Sequence, residues 1–274
     1  MKRRTRAELA QETLKIIENG CYRNMVGETV SIKEQTEFAV KNSILYRPED
    51  FPIKFSLVKM AKPTEFEITD ETTLEAAKRI CQTNENNPFV LNFASAKNPG
   101  GGFLGGSQAQ EESLARSSAL YPCLMANFAF YEFNRRHLTP FYSDNMIYSP
   151  GVPVFRNDDG SLLTAPYTVT FLTAPAVNAG VVYQQQPDKN DLIATVNRER
   201  ARKFLWLANH KQHNILILGA WGCGVFQNDP KVIAQIFADL LKNEFANCFE
   251  KVVMAIFDTT PTKRVYEAFG NIFA

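Results

Sequence analysis

The part of this sequence best suited to chemistry is a glycine-rich stretch that leads to two neighbouring carboxyl groups. It runs from Gly100, Gly101 and Gly102 to Glu111 and Glu112. Glycine lets backbone N–H groups come closer to a ligand than a side chain would allow, and a helix N-terminus favours an anion. The stretch therefore indicates a site that binds a phosphate or a sugar beside a carboxyl group that can transfer a proton.

The spacing of the two glutamates limits the chemistry they can share. Adjacent residues on a helix point about 100° apart, so only one of Glu111 and Glu112 can face a given ligand atom. Ordinary glycosidases use two carboxyl groups about 5 to 9.5 Å apart around the sugar. Here a single carboxyl group has to act first as an acid and then as a base. The alternative is that both glutamates only interact with the helix dipole on a solvated surface.

A second glycine-rich stretch, residues 219–226, follows an apolar segment and precedes Asp229-Pro230. Asp229 can cap a helix, and Pro230 suits its first turn. Ligands of open α/β sheets bind beyond the carboxyl ends of the strands, so we expect both glycine loops at one sheet edge. Neither contains the GxxxxGK[ST] pattern of a Walker loop, which disfavours phosphoryl transfer. The pair suits a diphosphate in one loop and a sugar in the other.

Apolar segments of strand length alternate with segments of helix length over most of the chain. This alternation predicts a largely parallel sheet covered by helices. The expected strands span residues 89–95, 167–173, 214–220 and 251–257, and the expected helices span 5–18, 71–83, 190–210, 230–246 and a segment from 261. Thr5 is the expected cap of the first helix, and Thr69 or Asp70 that of the second. Four prolines interrupt residues 121–159, which are predicted to form loops and short pieces.

Composition and charge bound the class of protein. The 274 residues are enough for one large domain, and 30 basic against 29 acidic residues leave a net charge of +1. No stable nucleic-acid partner is therefore expected. The apolar stretches are too short to span a bilayer, and the N-terminus resembles neither a secretory nor a transit peptide, so a cytoplasmic location is expected. Five scattered cysteines suggest reduced thiols.

The glycine stretch and the glutamates resemble a known signature. Residues 100–102, seven further residues, and then Gln110-Glu111-Glu112 match the GGG-x(6–8)-QEE pattern of poly(ADP-ribose) glycohydrolases. The flanking residues 92–99 and 113–118 are similar to the bacterial-type branch. The resemblance covers nearly the whole chain. It implies a macrodomain, an α/β fold with a mixed sheet sandwiched between helices, in one catalytic domain over 1–274. Residues 1–70 would be an N-terminal extension packed on a core of 71–274.

The same resemblance implies roles for individual residues. Glu112 would be the catalytic acid and base, and Glu111 would hydrogen-bond the ribose hydroxyl groups. Phe226 would pack on the terminal ribose, and Phe257 would stack on adenine, although an aromatic residue that ends a strand also suits a core. The implied substrate-binding residues are Asn98, Gly100, Gly101, Gly102, Gln110, Gly222, Cys223, Gly224, Val225, Phe226 and Phe257.

The implied reaction is hydrolysis of ribose–ribose O-glycosidic bonds, with no metal or organic cofactor and with release of ADP-ribose from chain ends. The implied partners are poly(ADP-ribose) or ADP-ribosylated proteins, and a monomer is expected. Two alternatives remain open: removal of single ADP-ribose groups from protein or nucleic acid, and a non-catalytic ADP-ribose reader. His210 and His213 lack a third metal ligand nearby, and Cys223 lacks an adjacent base, so neither a metal site nor a thiol nucleophile is expected.

Overall fold

The computed structural model of the chain describes residues 1–83 and 87–274. The helices are α1 (Arg3–Asn19), α2 (Lys33–Asn42), α3 (Thr73–Thr83), α4 (Gln110–Ser117), α5 (Leu120–Ala126), α6 (Ala129–Arg136), α7 (Ala179–Gln185), α8 (Leu192–His210), α9 (Pro230–Asp239) and α10 (Arg264–Phe273). The strands are β1 (Cys21–Arg23), β2 (Thr29–Ser31), β3 (Ile44–Tyr46), β4 (Glu65–Thr69), β5 (Phe89–Phe93), β6 (Met146–Arg156), β7 (Leu162–Ala174), β8 (Ile215–Gly219) and β9 (Lys251–Ala255).

A seven-stranded sheet in the order β3-β6-β7-β5-β8-β9-β4 forms the centre of the fold. The five strands from β7 to β4 are mutually parallel, whereas β6 is antiparallel to both β7 and β3. Helices cover both faces, which confirms the predicted fold class. The carboxyl ends of the adjacent strands β7, β5 and β8 meet at one edge of the sheet, and the two glycine loops begin there.

The burial of β8 shows how the sheet separates two apolar cores. Ile215 and Ile217 pack in the core formed with α1 to α6, while Leu216 and Leu218 pack in the core formed with α8 to α10. Alternate side chains of a strand point to opposite faces, so a strand covered on both sides has no polar face. This explains the continuous apolar run in the sequence.

Two strands of the central sheet come from the predicted N-terminal extension. β3 pairs with β6 at one edge, and β4 pairs with β9 at the other. Residues 1–70 therefore contribute both edge strands of the sheet as well as α1 and α2. The division into an extension and a core stays a prediction.

The prediction of loops and short pieces over residues 121–159 missed the long strand β6. This segment contains the end of α5, all of α6 and the eleven-residue strand β6. β6 includes Pro150 and Pro153, and its pairing with β7 shifts register between Ser149 and Val152. Pro150 lies within this bulge, where a residue is left out of the ladder and a proline removes no ladder hydrogen bond, whereas Pro153 is paired with Thr168.

Some helix ends differ from the prediction, and others agree. α1 begins at Arg3 without a side-chain cap from Thr5, and it ends before Gly20, which has φ of +68°. Thr72, rather than Thr69 or Asp70, caps α3: its Oγ1 accepts from the N–H of Glu75 at 3.1 Å. Asp229 caps α9 as predicted, accepting from the N–H of Lys231 at 2.8 Å.

No helix in residues 1–83 or 87–274 is both long and apolar enough to cross a membrane. All five cysteines have free thiols, with Cys123 and Cys248 buried.

Candidate active site

The two glutamates lie in the first turn of α4, as predicted. The loop from the end of β5 carries the three glycines, passes through a short 3-10 turn at Phe103–Gly105, and reaches Gln110. The backbone of the loop folds back on the helix start, because the N–H of Gly102 donates to Oε1 of Glu112 at 2.9 Å. This contact ties the glycine run directly to the half-buried carboxyl group of Glu112.

Gly101 lies between the two carboxyl groups. A Cβ atom at this position would lie 2.4 Å from Oε1 of Glu112 and 3.2 Å from Oε2 of Glu111. Its φ is also +59°, a left-handed conformation that side chains disfavour. Glycine is required here for both reasons. The two carboxyl groups therefore flank one backbone residue, although their side chains leave the helix in different directions.

Glu111 is buried, with 3% of its surface exposed. Its Oε2 accepts from the N–H of Ser95 at 2.6 Å, and its Oε1 accepts weakly from Nδ2 of Asn92 at 3.4 Å. Burial raises the pKa of Glu111 to about 8, and the negative charge of Glu112 adds to this effect. The raised pKa favours the protonated form of Glu111, which can donate a hydrogen bond.

Gln110 uses its side-chain amide within the protein. Its Oε1 accepts from the N–H of Phe93 at 2.8 Å, and its Nε2 donates to the carbonyl of Leu91 at 2.7 Å and to Oγ1 of Thr73 at 3.1 Å. These bonds join the start of α4 to the end of β5. The side chain thus holds the glutamates against the sheet.

Three arginines hold successive backbone carbonyl groups of residues 105–107. Arg3 Nε and Arg6 Nε donate to the first two carbonyls at 2.9 and 2.8 Å, and Arg116 Nη1 donates to the third at 2.8 Å. Helix α1 also packs against the loop, so closely that a Cβ at Gly106 would lie 2.1 Å from the carbonyl oxygen of Arg3. The N-terminal helix is therefore part of the wall that shapes the glycine loop.

The second glycine loop follows β8 and is held by Asn228. The buried Nδ2 of Asn228 donates to the carbonyls of Gly222 at 3.1 Å and Val177 at 2.8 Å. Gly222 has φ of +73°, and a Cβ there would lie 2.4 Å from the side chain of Ala176. At Gly224, by contrast, a Cβ would meet no atom within 4 Å. This side of the loop is open.

The N–H groups of this second loop differ in availability. The N–H of Cys223 donates to the carbonyl of Ala220 at 3.1 Å. Within residues 1–83 and 87–274, the N–H groups of Gly224 and Val225 donate no hydrogen bond, and Val225 is 78% exposed. A ligand can reach these two donors without breaking an existing bond, on the side of the loop where a Cβ at Gly224 would meet no atom.

The two loops lie side by side because β5 and β8 are neighbours in the sheet. A Cβ at Gly219, the last residue of β8, would lie 3.1 Å from the ring of Phe93, the last residue of β5. Phe226 packs against Tyr142, with ring centroids 5.7 Å apart. Phe257 follows β9 and is 62% exposed, so it is not part of the core. Asn98 is exposed at the start of the glycine run.

The remaining candidates from the sequence have structural contacts. His210 stacks on Trp206, with ring centroids 4.7 Å apart, and Nε2 of His213 lies 2.9 Å from the hydroxyl oxygen of Tyr148. Burial lowers the pKa of His213 to about 4. Burial also raises the pKa of the Cys223 thiol to about 12, so the thiol stays protonated at neutral pH and is a poor nucleophile.

Sequence reasoning missed Asn92 and Tyr131 as part of this site. Asn92 is fully buried in β5, where its Nδ2 also donates to Oγ1 of Thr173 at 3.1 Å. The presence of an asparagine inside an otherwise apolar strand could have identified Asn92 as a site residue. Tyr131 on α6 is also fully buried and close enough to Glu111 for the charge of that carboxyl group to help raise the pKa of the phenol. No pattern in the sequence points to Tyr131.

A mixed sheet between helices, with one carboxyl pair beside two glycine loops, defines a macrodomain-type hydrolase. The model of the microbial-type PARG catalytic domain matches residues 10–157. The poly(ADP-ribose) glycohydrolase of Thermomonospora curvata is 46% identical, with a TM-score of 0.95 over 98% of this chain and 100% of that one. The enzyme of Deinococcus radiodurans is 42% identical, with a TM-score of 0.80 over 87% of this chain and 96% of that one. No curated protein sequence matches.

The chain therefore belongs to the microbial-type poly(ADP-ribose) glycohydrolase family. It is an enzyme that hydrolyses the O-glycosidic bonds between riboses of poly(ADP-ribose). This confirms the family and the activity that the sequence predicted.

Proposed function

We propose that Glu112 is the acid and then the base of this hydrolysis, and that the enzyme releases ADP-ribose from chain ends. The observation that carries the first part is the position of Glu112. Its carboxyl group is half-buried, is held by the N–H of Gly102 at 2.9 Å, and shares Gly101 with the buried Glu111. A carboxyl group fixed in this way can reach a ligand without first losing much conformational freedom.

The two glycine loops support ADP-ribose as the bound group. A structure of the Deinococcus radiodurans enzyme contains ADP-ribose, and one of the Thermomonospora curvata enzyme contains the inhibitor ADP-HPD. We propose that this chain binds the diphosphate with the free N–H groups of Gly224 and Val225. Gly222 and Cys223 then shape the loop, and Phe226 packs on the terminal ribose.

The glycine run and its neighbours would bind the ribose whose bond is cut. The backbone of Gly100, Gly101 and Gly102 allows close approach, and the exposed Asn98 is in reach of a ribose hydroxyl group at the loop entrance. Gln110 acts through the bonds that join α4 to β5 rather than through a ligand contact. Phe257, exposed beyond β9, is available to stack on adenine.

In the proposed reaction Glu112 protonates the departing ribose oxygen as the glycosidic bond breaks. Positive charge develops at the anomeric carbon, and the nearby diphosphate stabilises it. The ionised Glu112 then removes a proton from the attacking water. Glu111, whose protonated form is favoured because burial raises its pKa to about 8, donates a hydrogen bond to a ribose hydroxyl group and orients the sugar.

The experiment for this assignment compares the wild type with Glu112→Gln. Because general acid–base catalysis contributes about 10²- to 10⁴-fold, we expect ADP-ribose release from poly(ADP-ribose) to fall by about 10³-fold. Binding of ADP-ribose, measured by calorimetry, is expected to stay within about twofold, since glutamine keeps the shape of the side chain. Equal release by the two proteins would remove Glu112 from the mechanism.

Chain-end action is tested by the order of products. End-directed hydrolysis predicts free ADP-ribose as the first product of a time course on long, end-labelled polymer. Early appearance of long fragments would contradict it. Homogeneous mono-ADP-ribosylated protein is the companion substrate, because only a mono-ADP-ribosyl hydrolase turns it over without a ribose–ribose bond.

A further inference from the structure

A cleft of about 420 Å³, separate from the two glycine loops, lies between α6 and the edge strand β3. Its volume is in the range of small-ligand sites. None of its residues contributes to the glycine loops. The residues that give it chemical character are Arg47, Glu132, Phe133, Arg136, His137 and Asn145.

The cleft lies at the same end of the central sheet as the catalytic loop, where β7, β5 and β8 have their carboxyl ends. The pairing registers place Leu45, Ile147, Thr173 and Asn92 in one row across the strands β3, β6, β7 and β5. Leu45 lines the cleft, and Asn92 contacts Glu111. Three strand spacings of about 4.8 Å separate the ends of this row by about 14 Å. Neighbouring units of one polymer can bridge such a distance.

Helix α6 separates the two sites and contacts both. On one side, Tyr131 is buried close to Glu111, and Nε of Arg135 donates to the carbonyl of Lys97, beside the glycine run, at 2.8 Å. On the other side, Phe133 and Arg136 line the cleft. Helix α6 therefore lies between the catalytic loop and the cleft.

The cleft carries groups that suit a nucleoside diphosphate. Arg47 and Arg136 are exposed, and neither forms an ion pair with a residue in 1–83 or 87–274. Guanidinium groups match the geometry of phosphate oxygens. Phe133, 49% exposed, stacks on His137 with centroids 5.5 Å apart, which offers an aromatic surface for a base.

Two further groups of the cleft can bind hydroxyl or amino groups. Asn145 is 2% exposed, and its Oδ1 has no hydrogen-bond partner in the part of the chain that the structure describes. A buried polar atom without a partner is uncommon, and this oxygen lines the cleft as a hydrogen-bond acceptor. Glu132, the single acidic residue in the lining, is exposed and can accept from ribose hydroxyl groups.

We propose that this cleft binds the next ADP-ribose unit of the polymer, the unit on the leaving-group side of the bond cut beside Glu112. Arg47 and Arg136 contact its diphosphate, and the Phe133–His137 pair stacks on its adenine. The inference rests on the proposed catalytic role of Glu112, which sets the position of the scissile bond. It makes the enzyme recognise polymer rather than ADP-ribose alone.

The test compares two substrates in the double variant Arg47→Ala/Arg136→Ala. One substrate is poly(ADP-ribose), and the other is an ADP-ribose glycoside with a small aryl leaving group, which cannot reach the cleft. We expect KM for the polymer to rise about tenfold, as for the loss of two charged contacts, while kcat/KM for the aryl glycoside stays within twofold. The control is Lys59→Ala/Lys62→Ala, which also removes two positive charges. These exposed lysines precede β4, the edge strand on the other side of the sheet from β3.

The outcomes separate this inference from the assignment of the catalytic group. Unchanged kinetics on both substrates, an equal loss on both, or an equal loss in the lysine control would overturn the cleft as a polymer subsite. Cleavage of the aryl glycoside by Glu112→Gln at the wild-type rate would instead overturn the catalytic assignment. Even with that outcome, binding of an inert labelled oligomer to the Arg47→Ala/Arg136→Ala variant tests the cleft. About tenfold weaker binding than in the wild type supports the polymer subsite, and unchanged binding contradicts it.

Discussion

The two glycine loops of the site use glycine for different reasons. In the catalytic loop, residues 100–107, side chains added at most of the glycines would collide with groups of the protein itself, such as the carboxyl groups beside Gly101 or α1 beside Gly106; Gly105 is the exception. In the loop after β8, Gly222 is likewise enclosed, but Gly224 faces open space. The first loop is shaped by internal packing, whereas part of the second is left clear for a ligand.

A glycine-rich motif can therefore serve either close internal packing or access for a ligand. The catalytic loop has three guanidinium groups on its carbonyls and a carboxyl group on the N–H of Gly102. Its geometry is therefore determined before substrate arrives, as a positioned acid requires. The open loop keeps the N–H groups of Gly224 and Val225 free, as an anion site requires. Substitutions in the two loops should fail in different ways.

Gly101→Ala is the sharpest test of the enclosed loop. Because the new Cβ would lie 2.4 Å from Oε1 of Glu112, the carboxyl group has to move, and φ of +59° adds strain. We expect kcat to fall by about 10²-fold and stability by about 1 to 2 kcal/mol, measured by ADP-ribose release and urea unfolding. Gly105→Ala is the matched control, since its Cβ would meet no atom closer than 3.9 Å. Similar losses in both variants would contradict the packing argument.

Glu111→Gln tests the burial of the carboxyl pair through the pH dependence of stability. Burial raises the pKa of Glu111 to about 8 in the folded protein, above its ordinary value of 4.5. Between these values the folded state keeps a proton that the unfolded state releases, so stability falls as pH rises, by up to about 1.4 kcal/mol per pH unit. Glutamine cannot ionise and should flatten this slope in urea unfolding between pH 4.5 and 8.

The control for that experiment is Glu34→Gln, which changes an exposed glutamate on α2. Its slope should match that of the wild type. If Glu111→Gln keeps the wild-type slope as well, Glu111 is ionised in the folded protein, and its role as a hydrogen-bond donor to ribose is wrong.

Gly224→Ala tests the open loop. The added methyl group meets no protein atom within 4 Å, so the melting temperature should stay within about 1 °C. The same methyl group would enter the space proposed for the diphosphate, and we expect the Kd for ADP-ribose to rise about tenfold in calorimetry. A loss of stability without a loss of affinity would reverse the contrast between the loops.

Arg6→Ala has the smallest expected effect, because the carbonyl of Gly106 loses one of several restraints on the loop. We expect kcat to fall about twofold to fivefold with KM unchanged, as for the loss of one hydrogen bond. Arg6→Lys should restore part of the rate. Arg4→Ala is the control, since Arg4 pairs with Glu8 on the exposed side of α1. A rise in KM alone would mean that the bond from Arg6 to Gly106 contributes to substrate binding rather than to the geometry of the loop.

The parts of the fold that were predicted correctly depend on neighbours in sequence. The helix start at the two glutamates and the cap of α9 by Asp229 are examples, since each is made by residues a few positions apart. β6 was missed because its two prolines argue against a strand locally. Pairing with β7 and a bulge at Pro150 override that preference.

The residues that can do chemistry here are evident from the sequence alone, because the spacing of the glycines and the glutamates is a local property of the chain. The protonation and position of these residues depend on contacts that form when the chain folds. Arg6 reaches the loop from 100 residues away, and the burial of Glu111 depends on β5 and on Tyr131 of α6. A pKa and a loop conformation are set by what surrounds a group in space, and contacts between distant parts of the chain provide those surroundings.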